Sequence, residues 1–220
     1  MKLVIGNKNY SSWSLRPWLL LRQFEIPFEE IQELLGQQNI REILAKYSPS
    51  CKVPVLIDKG LTVWDSLAIC EYVSERYLDG KGWPDGPALR AEARAISAEM
   101  HSGFTALRNE MPMNCRARRK VQMSDAVRRD IDRIETIWSS CIGKHTGDGP
   151  WLFGGFSIAD CMYAPVVLRF LTYGVRTSAQ NRNYLVTVAG NRHILDWITA
   201  AKRETEVLAV DETGTDVTNP

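Results

Sequence analysis

A serine-rich stretch near the amino terminus carries side chains that can stabilise an anion. Residues 10–14 (Tyr-Ser-Ser-Trp-Ser) lie between a short β-prone run and a segment with apolar residues at helical spacing. The N–H groups at a helix N-terminus carry partial positive charge and favour a bound anion. If that anion is a thiolate, a serine hydroxyl that donates to the sulfur lowers the thiol pKa. A serine that only caps the helix would explain the same residues.

Two further motifs have residue types suited to a small polar ligand. Val53-Pro54 places a proline at the start of an apolar, β-branched run, where its missing N–H disturbs a sheet least. Asp65-Ser66 opens a predicted helix, where Ser66 and the first N–H groups suit a carboxylate and Asp65 suits an ammonium group. Ordinary strand initiation and helix capping are the alternative explanations.

Alternating strand and helix patterns predict the elements that position these motifs. In chain order the predicted elements are strand 3–5, helix 15–24, strand 28–34, short helix 40–46, strand 53–57, strand 61–64 and helix 67–77. Residues 58–60 predict a hairpin turn between the last two strands. The order is therefore β-α-β-α-β-β-α, and the connecting helix makes the first two strands parallel.

The second half of the chain predicts a separate helical domain. Residues 79–87 are dense in Gly and Pro and predict a linker between a domain at 1–78 and a domain at 88–220. Helix-compatible patterns follow at 88–109, 125–142, 158–171 and 193–203. The polar residues 211–220 predict a frayed or wrapped tail.

The composition is that of an ordinary globular protein. The 220 residues are 45% hydrophobic and 24% charged with a net charge of +1, so there is no overall bias towards nucleic acid or a membrane surface. The basic run 116–120 is short and predicts a solvated face. The five cysteines and three histidines are scattered without metal-ligand spacing, and no signal peptide or membrane span is predicted. We expect a cytoplasmic protein with reduced thiols and no bound metal.

In order and spacing, the motifs resemble those of the cytosolic glutathione transferase family, serine type. Residues 11–16 (SSWSLR) resemble the Ser-Ser-Cys-Ser-x-Arg loop of the zeta class, which includes maleylacetoacetate isomerase. Residues 52–54 (KVP) resemble the family's Val-Pro signature, and residues 65–69 (DSLAI) resemble its Glu/Gln-Ser-x-Ala-Ile motif. Residues 151–160 resemble a Leu-x-Gly-x-x-x-Ser-x-Ala-Asp element, in which Ser157 and Asp160 form a capping box.

The resemblance implies a thioredoxin-like α/β domain that binds glutathione, followed by an all-helical domain. It implies that Ser11 stabilises the glutathione thiolate, with Ser12 and Ser14 as alternatives. It also implies that Val53, which precedes a cis proline in such a sheet, pairs its backbone with the peptide of glutathione. Tyr10 offers a further hydroxyl, one residue before the matching serine.

The two ends of glutathione are assigned by the same resemblance. Asp65 and Ser66 would hold the γ-glutamyl end, whereas Lys52 and Gln38 would meet the glycyl carboxylate. The resemblance further implies a homodimer of two-fold symmetry, with each N-terminal domain packed on the helical domain of the partner.

A second-substrate pocket is expected between the two domains. Trp13 stands where the zeta class has its cysteine, a departure that argues against the isomerase chemistry of that class without excluding it, and the indole is expected to wall the pocket. Pro112 would end the helix and leave Met111 and Met113 as adaptable apolar surface, while Arg108 would meet an anionic acceptor. A helix end with core methionines and a solvated arginine is the alternative.

These features predict an enzyme in which the glutathione thiolate attacks a small electrophile held by the helical domain. Isomerisation, dehalogenation or peroxide reduction would use the same thiolate, and these alternatives stay open. A non-catalytic adaptor or stress-response binding module with the same fold is the alternative from another class. A cysteine-dependent oxidoreductase is disfavoured because residues 11–14 contain no cysteine. No nucleic-acid or membrane partner is predicted.

Overall fold

The N-terminal half folds around a four-stranded mixed sheet. The computed structural model describes residues 1–145 and 147–217. The strands lie in the order β2-β1-β3-β4, with β1 and β2 parallel and the other neighbours antiparallel. The elements are β1 (Lys2–Ile5), α1 (Ser12–Gln23), β2 (Glu29–Gln32), α2 (Ile40–Ala45), β3 (Val55–Asp58), β4 (Leu61–Trp64) and α3 (Ser66–Tyr77). The predicted β-α-β-α-β-β-α order is confirmed.

The two faces of β1 pack against different helices. Leu3 and Ile5 belong to the large core cluster that contains residues of α1 and α3, whereas Val4 clusters with Leu44 of α2 and with Val55. Successive side chains of a strand point to opposite faces, so the three consecutive apolar residues 3–5 pack against helices on both faces of the sheet. This packing fixes the start of α1 beside the end of β1, where the serine-rich stretch lies.

The second half is helical and shares its core with the first. Its helices are α4 (Pro87–Ser102), α5 (Thr105–Glu110), α6 (Asp125–Lys144), α7 (Ile158–Tyr173), α8 (Ala179–Gly190) and α9 (Arg192–Ala201). Helix α7 is buried along nearly its whole length and packs against α1, α4 and α8, so it joins the two halves. Within residues 1–145 and 147–217, no helix combines the length and apolar character that crossing a membrane requires.

The capping box predicted at the start of α7 is present. Asp160 Oδ2 accepts hydrogen bonds from the N–H and the hydroxyl of Ser157, at 2.8 and 3.2 Å. Asp160 Oδ1 accepts from the N–H of Leu152, at 3.1 Å. The carboxylate therefore satisfies buried donors of both the loop and the helix, which fixes where α7 begins.

The predicted helix 88–109 is divided into α4 and α5. Phe104 adopts the left-handed conformation with φ of 55°, which no helix interior tolerates. The backbone of Gly103 approaches Glu99 so closely that an added Cβ would lie 2.7 Å from the carbonyl oxygen. Glycine therefore permits the break between α4 and α5.

Helix α8 was not predicted, because its buried face is partly polar. Its buried residues are Asn181, Tyr184 and Val188. The amide of Asn181 donates to the backbone and side chain of Glu135 on α6, at 3.0 and 2.9 Å. A buried amide with these partners holds the helix in place without producing an apolar stripe.

Helix α1 begins at Ser12, three residues earlier than predicted. Ser12, Trp13 and Ser14 therefore form its first turn, and Pro17 lies in the helix interior rather than in the first turn. Proline has no N–H, so the carbonyl of Trp13 receives no helical hydrogen bond from Pro17.

The C-terminal segment wraps back over the start of the chain. Residues Ala209–Asp211 form a 3₁₀ turn, and β6 (Thr215–Asp216) pairs antiparallel with β5 (Arg119–Lys120). The basic run 116–120 is thus not the solvated face that its charge predicts. Arg116 donates to the carbonyls of Glu204 and Glu206, and Arg119 pairs with Glu212. The predicted tail is wrapped as far as residue 217, and residues 218–220 lie outside the described part of the chain.

The Gly- and Pro-rich segment between α3 and α4 is packed against both halves. Trp83 is buried, and its indole N–H donates to Glu71 of α3 at 2.8 Å. The carbonyl of Gly82 accepts from the N–H of Ile158, at the start of α7. These contacts hold the two halves together, and the domain limits at 78 and 88 stay a prediction.

Candidate active site

Two adjoining cavities lie beside the serine-rich loop, and the larger is also lined by residues of the helical half. The larger, here called the serine cavity, has a volume of about 580 Å³, and the smaller, the strand cavity, about 470 Å³. Trp13, Lys52 and Val53 line both. Ser11, Ser12, Met113, Arg108 and Arg169 line the serine cavity, and Pro54, Trp64, Asp65 and Ser66 line the strand cavity.

The three serines of the first loop have different hydrogen-bond partners. The Ser11 hydroxyl donates to Ser14 Oγ at 2.7 Å, and Ser14 Oγ also accepts from the N–H of Gly6 at 3.1 Å. Ser14 is fully buried and lines neither cavity. Ser12 Oγ accepts from Arg169 Nη2 at 3.2 Å. Ser11 and Ser12 are therefore the two serine hydroxyls that face the serine cavity.

The hydroxyl of Tyr10 is held away from a catalytic role. It donates to the carboxylate of Glu212 and accepts from Arg116 Nη2 at 2.7 Å. Burial, together with the hydrogen bond to Glu212, raises the pKa of Tyr10. A phenol that already donates to a carboxylate is a poor donor to a second anion.

The Val-Pro motif lies at the boundary of both cavities. The Val53-Pro54 peptide bond is cis, as expected for a thioredoxin-like sheet, and Pro54 is buried. Val53 and Lys52 precede β3 and form part of the lining of both cavities. An extended ligand that crosses from one cavity to the other would therefore pass along Val53.

The Asp65-Ser66 motif starts α3, and Asp65 also contacts the helical half. Asp65 Oδ1 accepts from the N–H groups of Leu67 and Ala68, at 2.9 and 3.1 Å, so it caps the helix. Asp65 Oδ2 lies 3.0 Å from Nε2 of His101 on α4. Asp65 has a φ of 78°, a conformation that few residues other than Gly, Asn and Asp adopt readily. Asp65 can therefore both cap α3 and bind an ammonium group.

Arg16 is a buried cation beneath the strand cavity. Its guanidinium stacks on Trp13 at 4.2 Å from the ring centroid, and its Nη1 donates to Ser66 Oγ at 3.3 Å. Burial lowers the pKa of Arg16 to about 9, and the nearby charges of Arg169 and Arg108 add to this effect. Among the described residues Arg16 has no ion-pair partner, so its charge is available to an anionic ligand.

Two further arginines make the serine cavity electropositive. Arg169 on α7 is buried, and burial lowers its pKa to about 10, with the charge of Arg108 contributing. Arg108 on α5 lies over the Trp13 ring at 5.2 Å and donates to the carbonyl of His101 at 3.1 Å. Burial also lowers the pKa of Arg108. Asp211, which lines the same cavity, has a pKa raised by burial.

Of the remaining predicted site residues, one lines the serine cavity and two do not. Met113 lines the serine cavity, whereas Met111 is fully buried and does not form the adaptable surface expected of it. Gln38 is exposed before α2 and lies outside the lining of both cavities, so its role towards a glycyl carboxylate stays a prediction. No group of three or more potential metal-ligating side chains occurs within the described residues.

No binding or catalytic role is predicted from sequence for Arg169, His101 or Arg16. Arg169 carries a recognisable signal, because it is a single charge within the apolar run 166–170 (VVLRF) of a buried helix. Such a residue is costly to bury and usually has a binding or pairing role. His101 carries no comparable signal, since its partner Asp65 lies in another element.

Comparison with known proteins identifies the family. Residues 10–76 match the family model for the glutathione S-transferase N-terminal domain, and residues 90–200 match the model for its C-terminal domain. This chain belongs to the glutathione S-transferase family. The second match alone covers half of the chain, and together the two matches contain most of the residues that line both cavities.

Individual relatives agree with this assignment. Maleylacetoacetate isomerase of Rattus norvegicus is 31% identical over 71% of each chain. A probable maleylacetoacetate isomerase of Caenorhabditis elegans is 35% identical, over 44% of this chain and 45% of that protein. The crystal structure of a glutathione transferase homolog from Burkholderia GL BGR1, with bound glutathione, has a TM-score of 0.71 at 19% identity and covers 92% of this chain and 98% of that chain.

Membership of the glutathione S-transferase family confirms the resemblance seen in the motifs. It confirms the two-part fold and the prediction of an enzyme of this family, close to proteins named maleylacetoacetate isomerase. Trp13 lines both cavities and contacts Arg108 of the serine cavity, and it also packs against Arg16 and His101, which line neither cavity.

Proposed function

We propose that this protein is a glutathione transferase in which a serine hydroxyl stabilises the glutathione thiolate for attack on a small electrophile. The observation that carries the proposal is the pair of adjoining cavities joined along Val53. One cavity contains two serine hydroxyls at the N-terminus of α1, and the other contains Asp65 and Ser66 at the N-terminus of α3. Two helix N-termini and the nearby arginines suit a tripeptide with two carboxylates and a thiolate.

Glutathione is proposed to lie across both cavities in an extended conformation. Its γ-glutamyl end would occupy the strand cavity, with the ammonium group at Asp65 and the carboxylate at Ser66 and the charge of Arg16. Its backbone would pair with Val53, and Lys52 would meet the glycyl carboxylate. The glutathione named in the Burkholderia structure supports this ligand.

Thiol activation requires a donor for the sulfur. The loop register assigns this role to Ser11, and Ser12 is the second serine hydroxyl in the same cavity. A hydroxyl that donates to the thiolate and a nearby helix N-terminus both stabilise the anion, so the thiol proton leaves to solvent more readily. The sulfur then keeps the electron pair that forms the new bond to the electrophile.

The electrophile is proposed to carry an anionic group. Arg108 and Arg169 line the serine cavity, and neither is paired with a carboxylate among the described residues. Burial strengthens the attraction of these guanidinium groups for an anion. Trp13 and Met113 provide an apolar surface for the rest of the molecule.

Calorimetric titration of glutathione into the wild-type protein tests the function directly. We expect binding, and we expect the thiolate absorbance of the bound peptide to give a thiol pKa below that of free glutathione. Asp65→Asn removes a charge but has nearly the same shape and keeps an acceptor oxygen for the helix cap, so it should weaken binding about tenfold without unfolding the protein. Asp125→Asn, at an exposed position of α6, is the matched control.

Three results would count against this function in different ways. No binding to the wild type at millimolar glutathione would contradict the proposal as a whole. Binding without a lowered thiol pKa would favour the non-catalytic binding module. Equal loss of affinity in Asp65→Asn and Asp125→Asn would contradict the placement of the γ-glutamyl ammonium group at Asp65.

A homodimer is proposed as the working form. Strand β4 is an edge of the sheet, and its Leu61 and Trp64 are 49% and 46% exposed, which favours cover by a second copy. Light scattering should give twice the chain mass of 24.9 kDa, and Leu61→Glu should shift the protein to monomer. Val186→Glu, at an exposed position of α8, should not change the mass. A wild-type mass of one chain would contradict the dimer.

A further inference from the structure

Burial does not distinguish the two serine hydroxyls of the serine cavity. Ser11 is 6% exposed and Ser12 is 7% exposed, and both line the cavity. Their hydrogen bonds differ, however, in which atom acts as donor. A hydroxyl can stabilise a thiolate only if its own O–H proton is available to the sulfur.

The O–H of Ser11 is already engaged in holding the loop. It donates to Ser14 Oγ at 2.7 Å, and Ser14 is fully buried. Ser14 Oγ also accepts from the N–H of Gly6, directly after β1, so this chain of bonds ties the loop to the sheet. Donation from Ser11 to a sulfur would take one donor away from a buried acceptor, which carries a free-energy cost.

The O–H of Ser12 has no acceptor among the described residues. Ser12 Oγ instead accepts a hydrogen bond from Arg169 Nη2 at 3.2 Å. A hydroxyl whose oxygen accepts from a guanidinium is polarised and becomes a stronger donor. Ser12 is also the first residue of α1, where the partial positive charge of the helix N-terminus is greatest.

Arg169 supplies a full positive charge at the same point. It is buried, and its other hydrogen bond goes to the carbonyl of Pro165, at 3.3 Å. No carboxylate pairs with it within the described residues, and its Nε atom has no hydrogen-bond partner. A buried cation without an acidic partner is completed by an anionic ligand.

We infer that Ser12, backed by Arg169, is the hydroxyl that donates to the glutathione thiolate, and that Ser11 serves to hold the loop. The inference rests on the proposed function, since it assigns the thiol-binding atoms of that same site. The thiol proton passes to solvent, and the sulfur retains its electron pair facing the Ser12 O–H and the charge of Arg169. Activation thus depends on a residue of the helical half as well as on the first loop.

The thiol pKa of bound glutathione in single variants tests the assignment. Ser12→Ala and Arg169→Gln should each raise that pKa by about one unit. At pH values below the pKa, this lowers the thiolate fraction about tenfold. Arg169→Lys keeps the charge and should restore most of the loss. Ser11→Ala should shift the thiol pKa by less than Ser12→Ala. Thr136→Ala and Arg182→Gln remove an exposed hydroxyl and an exposed arginine elsewhere and serve as controls.

The outcomes separate this inference from the function on which it rests. If wild type fails to bind glutathione, the proposed function fails. If wild type binds with a lowered thiol pKa and only Ser11→Ala raises it, the function stands and the assignment to Ser12 is overturned. An unchanged thiol pKa in Arg169→Gln would overturn the role of Arg169. Thermal unfolding of each variant establishes that the folded protein is being compared.

Discussion

His101 on α4 contacts Asp65 at the start of α3, with 3.0 Å between its Nε2 and Asp65 Oδ2. Trp13 packs edge-on against the imidazole, with 5.1 Å between ring centroids. Burial lowers the pKa of His101. The negative charge of Asp65 acts to raise this pKa, and the positive charges of Arg16 and Arg108 offset part of that increase. The neutral imidazole therefore orients the carboxylate proposed to bind the γ-glutamyl ammonium group.

Substitution of His101 should affect glutathione binding more than turnover. His101→Leu removes the hydrogen bond that orients Asp65, so we expect the Kd for glutathione to rise about three- to tenfold with little change in kcat. Calorimetry and steady-state kinetics measure the two effects. His101→Gln keeps an N–H donor and should recover part of the affinity. A fall in kcat without a change in Kd would contradict this positioning role.

The pH dependence of stability follows from the same pair. Because the pKa of folded His101 lies below 6.5, folding favours the neutral imidazole. This contribution is present above pH 6.5 and is lost as the pH falls through the folded pKa. Chemical unfolding from neutral to acidic pH should therefore show wild type losing stability relative to His101→Gln. If the difference in unfolding free energy between the two proteins does not change with pH, the lowered pKa of His101 would be contradicted.

Arg108 should discriminate between anionic and neutral electrophiles. Arg108→Gln removes a partly buried charge from the serine cavity, so KM for a carboxylate-bearing electrophile should rise about tenfold. KM for a neutral electrophile of similar size should change little. Steady-state kinetics with a matched substrate pair measures the difference, with Arg182→Gln as the control. Equal effects on both substrates would contradict an anion-binding role.

Glu212 should contribute to stability through the loop that carries the serines. It accepts from Tyr10, Asn114 and Arg119, and although burial alone would raise its pKa, these bonds lower it. Glu212→Ala leaves these partly buried donors unpaired, so we expect a loss of about 1–3 kcal/mol in the free energy of unfolding. Denaturant titration measures it.

The control for Glu212 is a surface carboxylate with a single partner. Glu25 pairs with Arg192, and both side chains are mostly exposed. Glu25→Ala should cost less than about 1 kcal/mol, because solvent screens such a pair. Equal losses in Glu25→Ala and Glu212→Ala would mean that the wrapped C-terminal segment adds no specific stability.

Asp160 should be the most sensitive position of the α7 capping box. Asp160→Ala leaves the N–H groups of Leu152 and Ser157 without acceptors, so we expect a loss of about 3 kcal/mol. Asp160→Asn keeps one acceptor oxygen and should lose less. Denaturant titration of both variants measures the losses in the free energy of unfolding. If Asp160→Ala loses no more than Asp160→Asn, the acceptor oxygen that asparagine retains does not stabilise the protein, which would contradict this role.

Asp160 also predicts an opposite pH dependence. Burial raises its pKa to about 6, although the hydrogen bonds from Leu152 and Ser157 oppose this effect. A raised pKa means that folding favours the protonated form, so wild type should lose stability relative to Asp160→Asn as the pH rises from about 3.8 to about 6. If the stability of wild type relative to Asp160→Asn instead increases between these two pH values, the raised pKa of Asp160 would be contradicted.

Much of the fold was predictable because its signals are local. The hairpin at residues 58–60, the strands on either side and the capping box of Ser157 and Asp160 depend on residues within a few positions of one another. Helix α8 was not predictable in this way, since the buried Asn181 depends on Glu135 of another helix. The break at Gly103 carried only the weak signal of a single glycine, and tertiary packing decided it.

The sequence by itself determined that a serine-rich loop, a Val-Pro strand and an Asp-Ser helix start occur in the order of a glutathione-binding domain. It could do so because each motif is contiguous and its chemistry depends on neighbouring backbone. Only the tertiary structure decided which charges surround those motifs. Arg169 reaches Ser12 across 157 positions of the chain, and His101 reaches Asp65 from another helix. Such contacts arise from helix packing, which no local pattern encodes.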